Sequence, residues 1–308
     1  MSRTMLCAAF MAGTGLVAIG IPVQASAHGF AGARFFPATL ATDDPFVAEE
    51  LSLPTYNWSR DSDRTETSEF SLDFAKRITR KFGMEFGAAH LREHPPGGPS
   101  VDGWDNLELG AKYQIAVDPM RETIFSIGAD FDLGGTGSER LGAEGFSTIT
   151  PAFFFGKGFG DLSDRMSWAR GFAVTGSAGI SIPTETRTSD GAGGFEDNPH
   201  VLQFGLALEY SLSYFQSQVR NIGLMPPFDR MIPLVELALE KPIGHGGGPW
   251  TGSLNPGLIW AGQYVQLAAE AVIPLNGESG RGMGFRAQLH FFIDDLFPNS
   301  LGRPVFGG

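Results

Sequence analysis

From residue 50 onward, apolar side chains recur at every second position. Leu107, Leu109, Ala111, Tyr113, Ile115 and Val117 alternate with Asn106, Glu108, Gly110, Lys112 and Gln114. Phe125, Ile127, Ala129, Phe131 and Leu133 alternate with Ser126, Gly128, Asp130 and Asp132. Leu202, Phe204, Leu206, Leu208, Tyr210, Leu212 and Tyr214 oppose Gln203, Gly205, Ala207, Glu209, Ser211 and Ser213, and Phe285, Ala287, Leu289 and Phe291 oppose Gly284, Arg286, Gln288 and His290. A period of two places successive side chains on opposite faces of a strand. With weaker segments included, the pattern predicts twelve strands: 50–59, 67–78, 81–91, 104–117, 123–133, 146–156, 171–182, 201–214, 231–242, 251–261, 263–275 and 283–292.

Length and face chemistry decide what kind of sheet this is. Each predicted strand is ten to fourteen residues long, whereas a strand in a globular protein averages ~5–6. A tilted strand crossing a bilayer needs ~9–11. The polar face is rich in Gly, Ala, Ser and carboxylates, and the whole chain has only Lys76, Lys81, Lys112, Lys157 and Lys241 as lysines. A solvated outer surface carries more charge of both signs. Small and acidic side chains facing inward, with Phe and Leu facing out, suit a barrel in lipid. Closure also removes the sheet edges that hydrocarbon does not tolerate. The fold class expected is all-β: a transmembrane, antiparallel, up-and-down barrel of about twelve strands.

Connections support that assignment in part. Those at 92–103, 134–145, 183–200, 243–250 and 276–282 are long and rich in Gly, Pro, Asp and Ser, while those at 79–80, 118–122 and near 262 are short. Alternating long loops and short turns is the habit of outer-membrane barrels. Two connections break it, 157–170 and 215–230, and each has room for a short amphipathic helix; Leu162, Met166 and Trp168 point to one in the first.

Residues 1–27 read as a secretory signal peptide: Arg3, an apolar run from Met5 to Val23, then Ala25-Ser26-Ala27 as a small-x-small cleavage site. An uncleaved anchor helix is the alternative, against which the cleavage site and Gly13 and Gly15 argue. The only cysteine, Cys7, lies in this segment, so the mature chain has no disulfide and no thiolate metal site. Residues 28–49 form a lead-in, as a plug or a periplasmic lead-in tail; 50–292 form the barrel; 293–308 are a C-terminal extension. The formal charge of −12 argues against a nucleic-acid partner, whose phosphates it repels.

The signal peptide, the long amphipathic strands and the closing Leu289-His290-Phe291-Phe292 resemble proteobacterial outer-membrane barrels. More narrowly, the chain is similar to the transporter-like barrels of the meta-pathway phenol-degradation channel family. Two segments carry that likeness: Arg34-Phe35-Phe36-Pro37-Ala38-Thr39-Leu40-Ala41-Thr42-Asp43-Asp44-Pro45-Phe46 and Phe291-Phe292-Ile293-Asp294-Asp295-Leu296-Phe297-Pro298. The resemblance implies a bacterial outer-membrane location, outer-membrane lipid and the barrel assembly machinery as partners, and a small hydrophobic or aromatic solute. One departure is that the chain continues past Phe292, whereas many such barrels end on the aromatic residue that the assembly machinery reads.

Catalytic motifs are weak. His90-Leu91-Arg92-Glu93-His94 spells H-x-x-E-H, but zinc chemistry needs it on a helix. On a strand the two imidazoles lie ~13 Å apart at ~3.3 Å per residue. His245-Gly246-Gly247-Gly248 imitates an oxyanion loop without any G-x-S-x-G nucleophile, and Gly156-Lys157-Gly158-Phe159-Gly160 lacks the ending of a phosphate loop. His28, the residue after the cleavage site, is a weak candidate copper ligand with no second ligand adjacent. No enzyme activity, cofactor or metal is expected.

Alternation points Glu69, Asp73, Glu85, Glu108, Asp130, Asp132, Glu209, Glu236, Glu240 and Glu270 into the lumen, opposed by Arg77, Lys112 and Arg286. They suit two compatible roles. One is a lumen network that fills the barrel and fixes register; the other is a pore whose negative field favours cationic or neutral polar solutes. The function expected is passive passage of a small solute. A closed structural barrel and an outer-membrane hydrolase are the alternatives.

Overall fold

The computed structural model describes residues 29–61, 63–189 and 193–307; the leader and His28 lie outside them. Twelve strands form the wall: β1 (Glu50–Arg60), β2 (Glu66–Arg77), β3 (Phe82–His94), β4 (Leu107–Asp118), β5 (Thr123–Leu133), β6 (Thr148–Gly158), β7 (Phe172–Pro183), β8 (His200–Tyr210), β9 (Met231–Ile243), β10 (Thr251–Ala261), β11 (Val265–Pro274) and β12 (Gly284–Phe292). Each pairs antiparallel with its neighbours in sequence, and β12 pairs with β1, from Phe285↔Trp58 to Phe292↔Glu50, so the sheet closes. Pro54, which has no N–H for the ladder, lies where the β1–β2 register shifts between Ser52 and Thr55.

The outward face is the apolar one. Phe125 and Phe131 are each 39% exposed, Phe204 41% and Leu206 42%. Ser126, Ala207 and Glu209, on the opposite face of the same strands, are buried. A sandwich would reverse that order.

All twelve expected strands are present, with two differences. The expected strand 201–214 ends at Tyr210, because the Ser211 hydroxyl accepts the Tyr214 N–H at 3.1 Å and starts a helix, α1 (Leu212–Tyr214), that continues to Val219. A serine cap competes successfully with the strand period there. The expected 104–117 strand is interrupted at Asp105-Asn106, and Val101–Trp104 pairs instead with the end of β3.

The described chain begins and finishes at one end of the barrel: Gly32 lies against Pro119 of the β4–β5 turn, and the Val305 and Phe306 N–H groups bond to Arg77 and Ile78. We call this the terminal end and the other the loop end. Connections 78–81, 119–122 and 262–264 at the terminal end are short; 159–171 and 211–230, also there, are not.

Candidate functional site

The lead-in decides the shape of the lumen. Phe30–Ala31 and Arg34–Phe35 form a small hairpin across the terminal end. Residues 36–49 then run up inside the barrel and return to start β1 at Glu50. Phe36 and Phe46 pack on each other with ring centroids 5.5 Å apart, in an apolar cluster with Ala31, Ile124 and Ala173. Phe35 and Leu40 cover a second cluster of Ile232, Leu234, Ile259 and Ala268. The wall makes room with inward glycines: a Cβ on Gly205 would meet Thr42 Cβ at 3.0 Å, and one on Gly83 would meet Val47 at 2.7 Å.

This segment is not a strand of the wall, so its backbone groups need partners from elsewhere. Side chains on the inward face supply them. The Glu236 carboxylate, fully buried, accepts the N–H groups of Leu40, Ala41 and Thr42, each at 3.1 Å, and the Thr42 hydroxyl at 2.9 Å. Gln266 donates to Ala38 O at 2.7 Å, Arg286 to Leu40 O at 2.8 Å, Ser126 to Pro45 O at 2.5 Å and Lys112 to Asp44 O at 3.1 Å. Arg286 also pairs with Glu270 at 3.0 Å, and Lys112 with Glu85 at 3.1 Å.

A second set of contacts fixes the terminal end. Arg34, wholly buried, pairs with Glu122 at 3.1 Å, donates to the carbonyls of Gly171 and Arg170, and lies 3.5 Å from the Tyr214 ring centroid. The Tyr214 hydroxyl donates to Glu122 in turn; burial and that bond push the phenol up to about 12. Glu49 binds Lys76 at 3.2 Å and Arg77, and Arg77 reaches Asp294 of the C-terminal extension at 3.8 Å.

Beside the lead-in, against the β2–β5 side of the wall, a cavity of about 320 Å³ remains. Glu69, Asp73, Glu85, Glu108 and Asp130 line it, with Asp43 and Asp44 at the apex of the lead-in as its floor and with Lys112 and Arg286 as its cations. Burial pushes the Asp43 and Asp44 carboxyls up, against the pull of the Lys112 ammonium. Gly110 keeps the wall thin here: a Cβ would meet Asp130 Oδ1 at 2.9 Å and Glu85 Cβ at 3.0 Å.

The thirteen side chains assigned to the lumen therefore fall into groups. Seven line the cavity: Glu69, Asp73, Glu85, Glu108, Lys112, Asp130 and Arg286. Glu209, Glu236 and Glu270 are buried where the lead-in fills the barrel. Arg77 sits at the terminal end, Asp132 is opposite Glu108 in the β4–β5 ladder, and Glu240 is exposed near the loop end of β9. Alternation does not single out Arg34, Glu122, Ser126 or Gln266. Arg34 stands out in the sequence only within the family-like segment, and the others look like any polar residue on or beside a strand. His90 and His94 lie on β3, not on a helix; His90 stands beside the Trp104 ring and His94 bonds to Ser100.

No protein-family description and no curated protein matches the chain. Solved structures do. The COG4313 outer membrane channel from Pseudomonas putida F1 superposes with a TM-score of 0.55 at 12% identity, covering 84% of this chain and 98% of that one. The NanC porin superposes at 0.48 with 9% identity, covering 78% and 98%. At that identity the first shows a common fold, a closed twelve-stranded barrel of the outer-membrane type, and it agrees with the resemblance to the phenol-degradation channel barrels seen in the sequence.

Proposed function

We propose that this protein is a bacterial outer-membrane channel for passive passage of a small solute, closed at rest by residues 36–49. The observation that carries the proposal is the way the lumen is filled. The lead-in is held by side-chain bonds and two small apolar clusters, and no ladder joins it to the wall. It leaves the lumen without breaking one strand pairing. Inward side chains fill a barrel of about eight strands directly; twelve enclose a wider lumen, part of which a separate segment fills here. The leader read at residues 1–27 supports export, and the exposed belt of Phe and Leu on the wall supports insertion in lipid by the barrel assembly machinery.

The vestibule bounds the solute. A volume near 320 Å³ admits a small molecule, and five wall carboxylates against two cations favour neutral or cationic solutes over anions. The Phe154 ring also lines it, 4.8 Å from the Lys112 ammonium, and this ring supports the hydrophobic or aromatic solute that the family resemblance implies. Liposome swelling and planar-bilayer conductance on the purified mature chain test the proposal. Current steps, with faster swelling in neutral and cationic solutes than in anionic ones of the same size, are expected. No current and no swelling, in the wild type and in a variant lacking residues 37–47, would leave a closed barrel.

A further inference from the structure

The two long connections at the terminal end meet the lead-in hairpin through Arg170, Gly171 and Tyr214, and the chemistry of their exposed side chains points elsewhere. Met166, Trp168, Ile222, Met225 and Phe228 are 46%, 61%, 46%, 74% and 58% exposed. They belong to 159–171 and 211–230, the connections whose length breaks the rule of short turns. The helix from Leu212 to Val219 is amphipathic: Ser213, Tyr214, Ser217 and Gln218 face a polar cavity beneath the hairpin, leaving Leu212, Phe215 and Val219 on the other side. Side chains three and four apart share a helix face, which is why the sets separate.

These connections are also continuous with the wall's apolar belt. Phe172 and Tyr210 are cross-strand partners on the outward face of β7 and β8, with ring centroids 4.7 Å apart. Trp168 stacks edge-on against Phe172 at 6.3 Å, Phe215 lies 6.0 Å from Tyr210, and the Tyr210 hydroxyl donates to Trp168 O at 3.0 Å. One unbroken aromatic row thus runs from the lipid-facing wall onto both connections. Arg165 and Arg220 are exposed on them. An apolar face beside cations is what the headgroup layer of a bilayer accommodates, and aromatic side chains concentrate at that depth.

We infer that 159–171 and 211–230 form a half-collar seated in the phospholipid headgroup layer around β6–β9, with Trp168, Met225 and Phe228 at the acyl boundary and Arg165 and Arg220 among the phosphates. The inference rests on the membrane reading above, and the controls separate the two. Residues 28–308 hold no cysteine, so in that segment Met225→Cys, Phe228→Cys, Leu267→Cys on the mid-wall and Glu139→Cys on a loop-end helix each accept one environment-sensitive fluorophore. Folding of each is checked by heat-modified gel mobility in vesicles of phosphatidylethanolamine and phosphatidylglycerol. Positions 225 and 228 should lose more intensity to a spin label near the headgroup than to one deep in the acyl chains, with the reverse at 267 and loss only to aqueous iodide at 139. Quenching of 225 and 228 by iodide alone, with 267 still reached by the deep label, overturns the collar and leaves the barrel in the membrane. Loss at 225 that appears only at high protein density assigns the surface to a second copy and overturns it too. Failure of the deep label to reach 267 removes the membrane reading itself.

Discussion

The two halves of the lumen are built from the same residue type and do opposite things with it. On the β8–β11 side, Glu209, Glu236 and Glu270 are each 4% exposed or less, and Glu236 spends both oxygens on the lead-in backbone. On the β2–β5 side, Glu69, Glu85, Glu108 and Asp130 border open volume. Two of these buried carboxylates act as anchors: Glu236 holds the lead-in directly, and Glu270 holds Arg286, which donates to Leu40 O. A carboxylate facing water keeps its field available to whatever enters, so the second set serves as a filter. The side of the barrel against which the lead-in packs, not residue type, separates the roles.

The most damaging way to break that contrast is Glu236→Ala. It removes the acceptor for three N–H groups and one hydroxyl, and hydrogen bonds to a charged group contribute about 1.5–3 kcal/mol each. The lead-in should undock: conductance rises and an added protease cuts within 36–49, while the barrel keeps its heat-modified mobility. Glu236→Gln, with one acceptor oxygen left, should fall between. Arg34→Ala comes next, leaving Glu122 buried beside the hairpin without its partner. Losing one member of a buried pair costs about 3–5 kcal/mol, read as a lower urea midpoint for loss of the folded band.

The vestibule should respond in selectivity rather than in stability. Glu108→Gln with Asp130→Asn should move the reversal potential in a salt gradient toward zero, while the unfolding free energy changes by no more than about 0.5 kcal/mol. The pH dependence has a definite sign. Asp43 and Asp44 are raised from 3.8 by burial, so as pH falls they bind protons before an exposed aspartate does. The docked lead-in binds those protons more tightly than the undocked one, so falling pH favours it, and conductance should begin to drop above the ordinary aspartate range. The smallest effect is Glu240→Gln, at an exposed site away from the lead-in, which should alter stability by under about 0.5 kcal/mol and leave conductance unchanged.

The wall was legible in the sequence because lipid and lumen demand different chemistry of alternate residues, and Phe125/Ser126 or Leu208/Glu209 show that demand residue by residue. The lead-in is legible in the sequence as a plug or a periplasmic tail, and nothing in it decides between the two. Residues 36–49 have no period, and their positions depend on partners such as Glu236, 196 positions from Leu40. Inward carboxylates were recognisable as a set, but alternation gives Glu236 and Glu108 the same signal; only the course of the lead-in divides them. The helix at Leu212 was hidden because Leu212 and Tyr214 prolong the strand period that Ser211 ends.

The central claim is that solute passes only when residues 36–49 move. Thr42 and Gly205 face each other across the gap between lead-in and wall, close enough that a Cβ on Gly205 would touch that of Thr42. Residues 28–308 hold no cysteine, so in that segment Thr42→Cys with Gly205→Cys gives a reversible lock. Oxidised, the double variant should show no current steps and no swelling, and a reductant should restore both. Equal conductance before and after reduction, with the cross-link verified, would contradict the claim and place the solute path outside the lead-in.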